Sequence, residues 1–247
     1  MSGKYISSIL FDNSLDKNSY LNDLPIIKYL ADNKELIFSS NVTFFVGENG
    51  TGKSTLLEAI AVAYGFNAEG GSKNFHFSTN ATHSDLHRHL KISRREIAKD
   101  GYFLRAESLY NVATNIDDMD KEFSFDPPVI EGYGGVSLHN QSHGESFLSI
   151  VQNRFFGSGL YILDEPEAAL SPNRLLTLIA EIDRLVKKGS QFIIATHSPI
   201  LMAFPNAEIL EFSEGGIKSV GYRETEHFKI TKQFLDDPER MLYYLLK

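Results

Sequence analysis

The chain holds 247 residues, 42% of them hydrophobic, 23% charged and 12% aromatic, with a formal net charge of −8 at pH 7. This ordinary globular composition suits one large α/β domain or two small ones and excludes a disordered, fibrous or collagenous chain. There is no cysteine, which removes disulfides, thiolate zinc sites and thiol catalysis, and the acidity argues against a free-standing non-specific nucleic-acid binder, which needs a basic face.

In chain order, Tyr5–Phe11 is apolar and β-prone, and residues 1–5 lack the apolar core of a signal peptide. No stretch approaches the ~20 apolar residues that span a bilayer. The expectation is a cytoplasmic protein without membrane insertion. A second strand, Asn41–Val46, runs into Gly47-Glu48-Asn49-Gly50-Thr51-Gly52-Lys53-Ser54-Thr55, and Leu56–Tyr64 follows with helical spacing of its apolar residues. From about 70 to 143 the chain is more polar; it has a helix-like segment near Ser84–Ala98 and a strand at Tyr102–Arg105, and it ends rich in glycine and proline. This stretch reads as a mainly helical lobe inserted into a core made of 1–69 and 144–247, the whole forming one domain. The core resumes with a helix (Glu145–Phe155), a strand (Leu160–Leu163), a helix (Asn173–Lys187) and a strand (Gln191–Ala195), an alternation that specifies a mostly parallel sheet covered by helices. A hairpin around Gly215-Gly216 and a helix over Pro238–Leu246 close the chain.

Gly47 to Ser54 fits G-x-x-x-x-G-K-[ST] between a strand and a helix, the context that motif requires. Glycines let backbone N–H groups converge on phosphates, and the helix adds the positive end of its dipole. Asn49, Gly50, Thr51, Gly52, Lys53, Ser54 and Thr55 are therefore expected to hold a nucleoside triphosphate. Lys53 would reach the β- and γ-phosphates, and the Ser54 hydroxyl would bind Mg²⁺. Leu160–Leu163 ends in Asp164-Glu165. Neighbouring side chains at a strand end diverge, so Asp164 can serve the metal while Glu165 positions an attacking water. The next strand delivers Thr196-His197-Ser198-Pro199, and His197 can donate to the γ-phosphate. Ser142-His143-Gly144-Glu145-Ser146 opens a helix and offers N–H groups to a second anion.

The order of these motifs, completed by Leu163-Asp164-Glu165-Pro166 and Ala169-Leu170-Ser171, resembles the ATP-binding-cassette ATPases. In detail it is similar to the small, stand-alone "predicted ATPase" branch of AAA-family proteins related to RecF- and SMC-type ATPases. The resemblance spans Gly47–Pro199. It implies an α/β P-loop fold with an antiparallel N-terminal β region and an inserted helical lobe, with ATP and Mg²⁺ as ligands. It also implies a head-to-tail homodimer in which Ser142, His143, Gly144 and Glu145 contact the γ-phosphate held by a second copy. By the same resemblance Asp164 matches the Mg²⁺-associated acid, Glu165 the catalytic base and His197 the switch histidine. The sequence departs from the transporter pattern Leu-Ser-Gly-Gly-Gln at the signature. It lacks a glutamine between Lys53 and Gln141, where Glu107 is a candidate stand-in, and it carries Ser171 where aspartate is usual.

Two further clusters have bland readings beside the functional ones. His83, His87 and His89 invite a metal, but a solvated helix accounts for them. Arg88, Lys91, Arg94 and Arg95 form a basic stripe in the inserted lobe, either a solvated face or a contact for nucleic acid or an acidic protein effector. The leading functional reading is an ATPase whose nucleotide state is read by a partner protein or nucleic acid. A transporter's nucleotide-binding subunit and a nucleotide-gated switch with little turnover stay open as alternatives.

Overall fold

The computed structural model describes residues 4–12, 14–16, 18–73, 84–121 and 127–247. Strand β1 (Ile6–Phe11) is followed by helix α1 (Pro25–Asn33), which has proline at its first position and a left-handed Lys34 at its end. Strand β2 (Glu35–Ile37) and strand β3 (Val42–Gly47) come next, then helix α2 (Lys53–Tyr64). Strand β4 (Leu90–Arg94), strand β5 (Asp100–Arg105) and helix α3 (Leu109–Met119) occupy the middle of the chain. Helix α4 (His143–Arg154), strand β6 (Gly159–Asp164), helix α5 (Pro172–Lys187), strand β7 (Gln191–Ala195) and helix α6 (Pro199–Met202) restore the alternation expected from the sequence. The hairpin β8 (Glu208–Ser213) and β9 (Gly216–Ser219) precedes helices α7 (Glu226–Asp236) and α8 (Pro238–Leu245).

Two sheets form. The larger runs β5-β6-β7-β3-β8-β9, parallel throughout except for the final β8–β9 pair, and the smaller runs β2-β1-β4, all antiparallel. Strands β3, β6 and β7 are buried along their whole length, which is why they read as unbroken apolar runs instead of alternating ones. One face of the large sheet packs on α3, α4, α5 and α6 through Phe44, Tyr161, Phe192 and Ile194. The other face, through Phe45, Phe103, Ile162 and Ile193, packs on α2, which lies between this sheet and the small one with Leu56, Leu57 and Ile60 buried. Beyond its first turn helix α2 is therefore mostly apolar, with Glu58 the exception, as suits a helix covered on both sides.

The structure corrects the reading of 84–98 as a helix. Asp85–His89 is a 3₁₀ turn, and Leu90–Arg94 is a strand whose edge is claimed by β1. Leu86 and Leu90, both buried, have the i, i+4 spacing of a helix face and produced the helical pattern. Pairing with β1 overrides it. The stretch 70–143 accordingly gives β4 to the small sheet and β5 to the large one, and among its described residues the first α-helix begins at Leu109. The basic stripe is not one helical face either. Arg88 pairs with Asp85 at 3.5 Å, and Arg94 stacks 4.7 Å over the Tyr64 ring. Of the histidines, His83 lies outside the described residues, His87 Nδ1 is 3.0 Å from the Ser84 carbonyl, and His89 is 3.3 Å from Asp12. Among the described residues no helix is long and apolar enough to cross a membrane.

A buried amide helps to fasten the small sheet to the large one. Gln191, at the start of β7, accepts from Tyr5 N at 2.7 Å and Ile6 N at 2.9 Å, and donates to Ile6 O at 2.9 Å. Leucine at this position would leave buried backbone groups without partners, each costing about 1–3 kcal/mol. Gln191→Leu is expected to lower the unfolding free energy by about 3 kcal/mol in urea titration. A loss under about 1 kcal/mol would show that the small sheet is held elsewhere.

Candidate functional site

The site is built where β3, β6 and β7 end. Strand β3 stops at Gly47, whose φ of +128° and tight fit exclude any side chain: a Cβ there would lie 2.1 Å from the Phe212 carbonyl oxygen. The loop then turns through Gly50 (φ +83°) into Gly52 (φ +94°), which caps α2 without a side-chain acceptor for the helix's first N–H groups. Those groups are left to face an anion. Lys53, the first residue of α2, is buried, and its ammonium donates to the carbonyls of Gly47 (2.7 Å) and Glu48 (2.8 Å). Thr51 Oγ1 donates to the same Glu48 carbonyl at 2.8 Å. Desolvation lowers the Lys53 pKa, and Glu165, Glu48, Asp164 and Glu167 oppose the shift.

Opposite the loop stands a set of acids. Asp164, the last residue of β6, accepts from Ser54 Oγ at 3.0 Å and lies 3.5 Å from Arg105 Nε. Burial pushes its carboxyl up to about 6, against the pull of Arg105 and Ser54 and with a further push from Glu165. Glu165 sits in the left-handed region at φ 48°, a conformation unusual for a non-glycine residue. Its Oε1 is 3.6 Å from His197 Nε2. His197 follows β7, and burial lowers its pKa, with Lys53 and His227 acting in the same direction. Glu167 holds this end of β7 in place, accepting from Thr196 Oγ1 at 2.8 Å and from the His197 N–H. Desolvation raises the Glu167 pKa.

Lys53, Ser54, Asp164, Glu165 and His197 are therefore gathered at one edge of the sheet. Ser142, His143, Gly144 and Glu145 are elsewhere. Ser142 is the N-cap of α4 in a reciprocal capping box, its N–H donating to Glu145 Oε2 at 2.9 Å and its Oγ to the same oxygen at 2.6 Å. Arg174 of α5 grips both, at 3.2 Å from Ser142 Oγ and 3.0 Å from Glu145 Oε1. A Cβ on Gly144 would lie 2.5 Å from Arg174 Nη1. Among the described residues no hydrogen bond or ion pair joins this segment to the loop of Lys53. Glu107 pairs with Arg105, which also binds Glu58 of α2 at 2.9 Å. Arg105 and Glu58, with Glu167 and His227, are site residues that carry no motif. Only the placement of Arg105 at the end of a strand pointed toward it.

Ser54 and Asp164 offer two oxygens 3.0 Å apart beside a lysine, a donor set that suits a small hard cation completed by phosphate and water oxygens. Among the described residues no cluster of three or more His, Cys, Asp and Glu forms an all-protein metal cage.

Two family models match the chain. One, described as "AAA domain", covers residues 26–130, and the other, described as "AAA domain, putative AbiEii toxin, Type IV TA system", covers 136–203. The chain is 26% identical over 200 residues to the ribose import ATP-binding protein RbsA of Yersinia pestis, covering 72% of this chain and 36% of that protein. It is 24% identical over 189 residues to RbsA of Bacillus cereus, covering 71% and 38%. It thus spans a little over a third of the length of these relatives. In three dimensions it resembles MJ1267, an ATP-binding cassette of an ABC transporter, with a TM-score of 0.53 at 15% identity over 98% of this chain and 99% of that one. That likeness shows the fold: an α/β P-loop fold with a mostly parallel sheet and an antiparallel β region.

The buried Asp164 carries a stability cost. Its folded pKa is raised above the ordinary 3.8, so its contribution to stability is full below pH 3.8 and is lost as pH rises through about 6. Asparagine keeps the shape and removes the charge. Asp164→Asn is expected to be more stable than wild type, with a gap in unfolding free energy that widens from pH 4 to pH 6, stays constant above, and reaches at most about 3 kcal/mol. A gap that does not change across this range would show that Asp164 is ionised without cost.

Proposed function

We propose, from the premise that this chain belongs to the ATP-binding-cassette type of AAA-domain ATPases, that it binds ATP with Mg²⁺ and hydrolyses it in an ATP-sandwiched homodimer. The observation that carries this reading is the meeting of Lys53, Ser54, Asp164, Glu165 and His197 at adjacent strand ends. The Lys53 ammonium is held by carbonyls of its own loop and would exchange them for β- and γ-phosphate oxygens. The N–H groups of residues 49–55 would surround the same phosphates. Ser54 and Asp164 would hold Mg²⁺, which neutralises charge developing on the phosphate oxygens. Glu165 accepts the proton of an attacking water as the new P–O bond forms and the bond to the ADP oxygen breaks. His197 Nε2–H stabilises the γ-phosphoryl group in the transition state.

The pocket within one chain is half a site. Ser142, His143, Gly144 and Glu145 present a helix N-terminus on a different part of the surface, and in this reading they close over the γ-phosphate held by a second copy. ATP would then join two chains, and hydrolysis would release them. We read the whole of 1–247 as a single ATPase domain working in the cytoplasm. A partner protein or nucleic acid would sense the nucleotide state through the inserted stretch of about 70–143. The names of the curated relatives favour a second reading, the nucleotide-binding subunit of an importer. Against it stands the Ser-His-Gly-Glu-Ser signature in place of Leu-Ser-Gly-Gly-Gln. Recovery of a membrane protein with the purified chain would favour the importer.

Lys53→Ala is expected to abolish ATP binding while leaving thermal unfolding nearly unchanged. Wild-type hydrolysis by that variant would refute the phosphate site. Glu165→Gln keeps shape but cannot accept a proton, so turnover should fall by roughly 10²–10⁴ while ATP binding persists. Light scattering after size exclusion should then show a dimer with ATP and Mg²⁺ and a monomer without. A variant that stays monomeric at saturating ATP would contradict the sandwich.

A further inference from the structure

His227, the second residue of α7, reaches the site from a part of the chain that no motif marks. Its Nε2 is 2.9 Å from Nδ1 of His197, with ring centroids 5.0 Å apart. Four contacts fix its position. Thr225 caps α7 by accepting from Phe228 N and donates its hydroxyl to the Tyr222 carbonyl at 2.9 Å. The rings of Tyr222 and Phe228 pack 4.7 Å apart, and Glu226 N donates to Glu211 Oε1 on β8 at 3.3 Å. His227 is thus anchored to the sheet and brought to the far side of the His197 ring from Glu165.

The two other ring nitrogens, His197 Nε2 and His227 Nδ1, are buried and lack a hydrogen-bond partner. A neutral imidazole carries one N–H, so the His197–His227 bond has two arrangements. If His197 Nδ1 donates, its Nε2 presents a lone pair to the Glu165 carboxylate 3.6 Å away and has no proton to offer a phosphate. If His227 Nε2 donates, His197 Nε2 carries the proton and faces that carboxylate. The second arrangement matches charge to charge and leaves an N–H aimed into the site. Glu167 completes the hold by accepting the His197 backbone N–H. The partner of a histidine's other nitrogen decides which tautomer works, as carboxylates do in hydrolase triads and around metal-bound histidines.

We propose that His227 is a positioning residue that donates its Nε2–H to His197 Nδ1 and thereby locks His197 in the Nε2–H tautomer. This rests on the reading of the site as an ATPase, and it makes α7 part of the hydrolytic machinery. The test uses the full chain with ¹⁵N-labelled imidazoles and two variants. His227→Gln keeps a donor near the same position, and His227→Phe fills the space without one. Two-dimensional NMR should find His197 entirely as the Nε2–H tautomer in the wild type and the Gln variant, and mixed in the Phe variant. In steady-state ATP hydrolysis the Phe variant should lose about tenfold in kcat with KM within about twofold, and the Gln variant should recover most of the rate. A wild-type Nδ1–H tautomer, or a Phe variant with unchanged tautomer and unchanged kcat, would overturn the proposal. If the Phe variant does not fold, the wild-type and Gln spectra still decide. If the wild type shows no hydrolysis at all, the ATPase reading fails, and the tautomer measurement still judges His227.

Discussion

A hydrogen bond between Ser54 and Asp164 spans two strands that do not touch each other. Strand β7 lies between β3 and β6 in the sheet order, so the start of α2 must reach across its end to meet the carboxylate. The two residues that follow β7, Thr196 and His197, lie at this end of the sheet, where both donate to Glu167. A parallel sheet gathers ligand groups at the carboxyl ends of its strands, and this strand order sets an ammonium, an imidazole and a carboxylate pair in one row. Gly47 is the point on which the row depends. It brings the backbone within contact of Phe212 before the loop turns, a path closed to any residue with a side chain.

The electrostatics of the row are unbalanced on purpose. Asp164, Glu165 and Glu167 converge, and among the described residues Lys53 and Arg105 are the cations close to them. Burial makes the ionised state of Asp164 costly, and Lys53, deprived of water, has its charge satisfied by two carbonyls. Such a site is held ready at the expense of stability. A bound cation on Ser54 and Asp164 would relieve the acids, and phosphates would take the ammonium. Arg105 connects this balance to the P-loop helix through Glu58 and to the surface through Glu107.

The parts legible in the sequence were those governed by short-range rules. The glycine spacing of the phosphate loop, the unbroken apolar runs of β3, β6 and β7, and the amphipathic α5 each carry their own signal. The strand β4 did not, because Leu86 and Leu90 imitate a helix and only the distant β1 decides otherwise. The helix α7 was missed because no motif marks it and its place is fixed by contacts to the distant β8. His227 and Glu167 were invisible for a related reason. Their roles lie in which nitrogen or N–H they meet across 30 residues of chain, and nothing local records that meeting.

The central claim is that Lys53, Ser54 and Asp164 together form a site for a nucleoside triphosphate with its metal. Calorimetric titration of the wild-type chain with ATP, with Mg²⁺ present and with Mg²⁺ chelated, tests it most directly. Saturable binding of one ATP per chain is expected, weakening by about tenfold or more when Mg²⁺ is removed, since Asp164 then faces the phosphates uncompensated. Absence of binding at millimolar ATP, or an affinity indifferent to Mg²⁺, would contradict it.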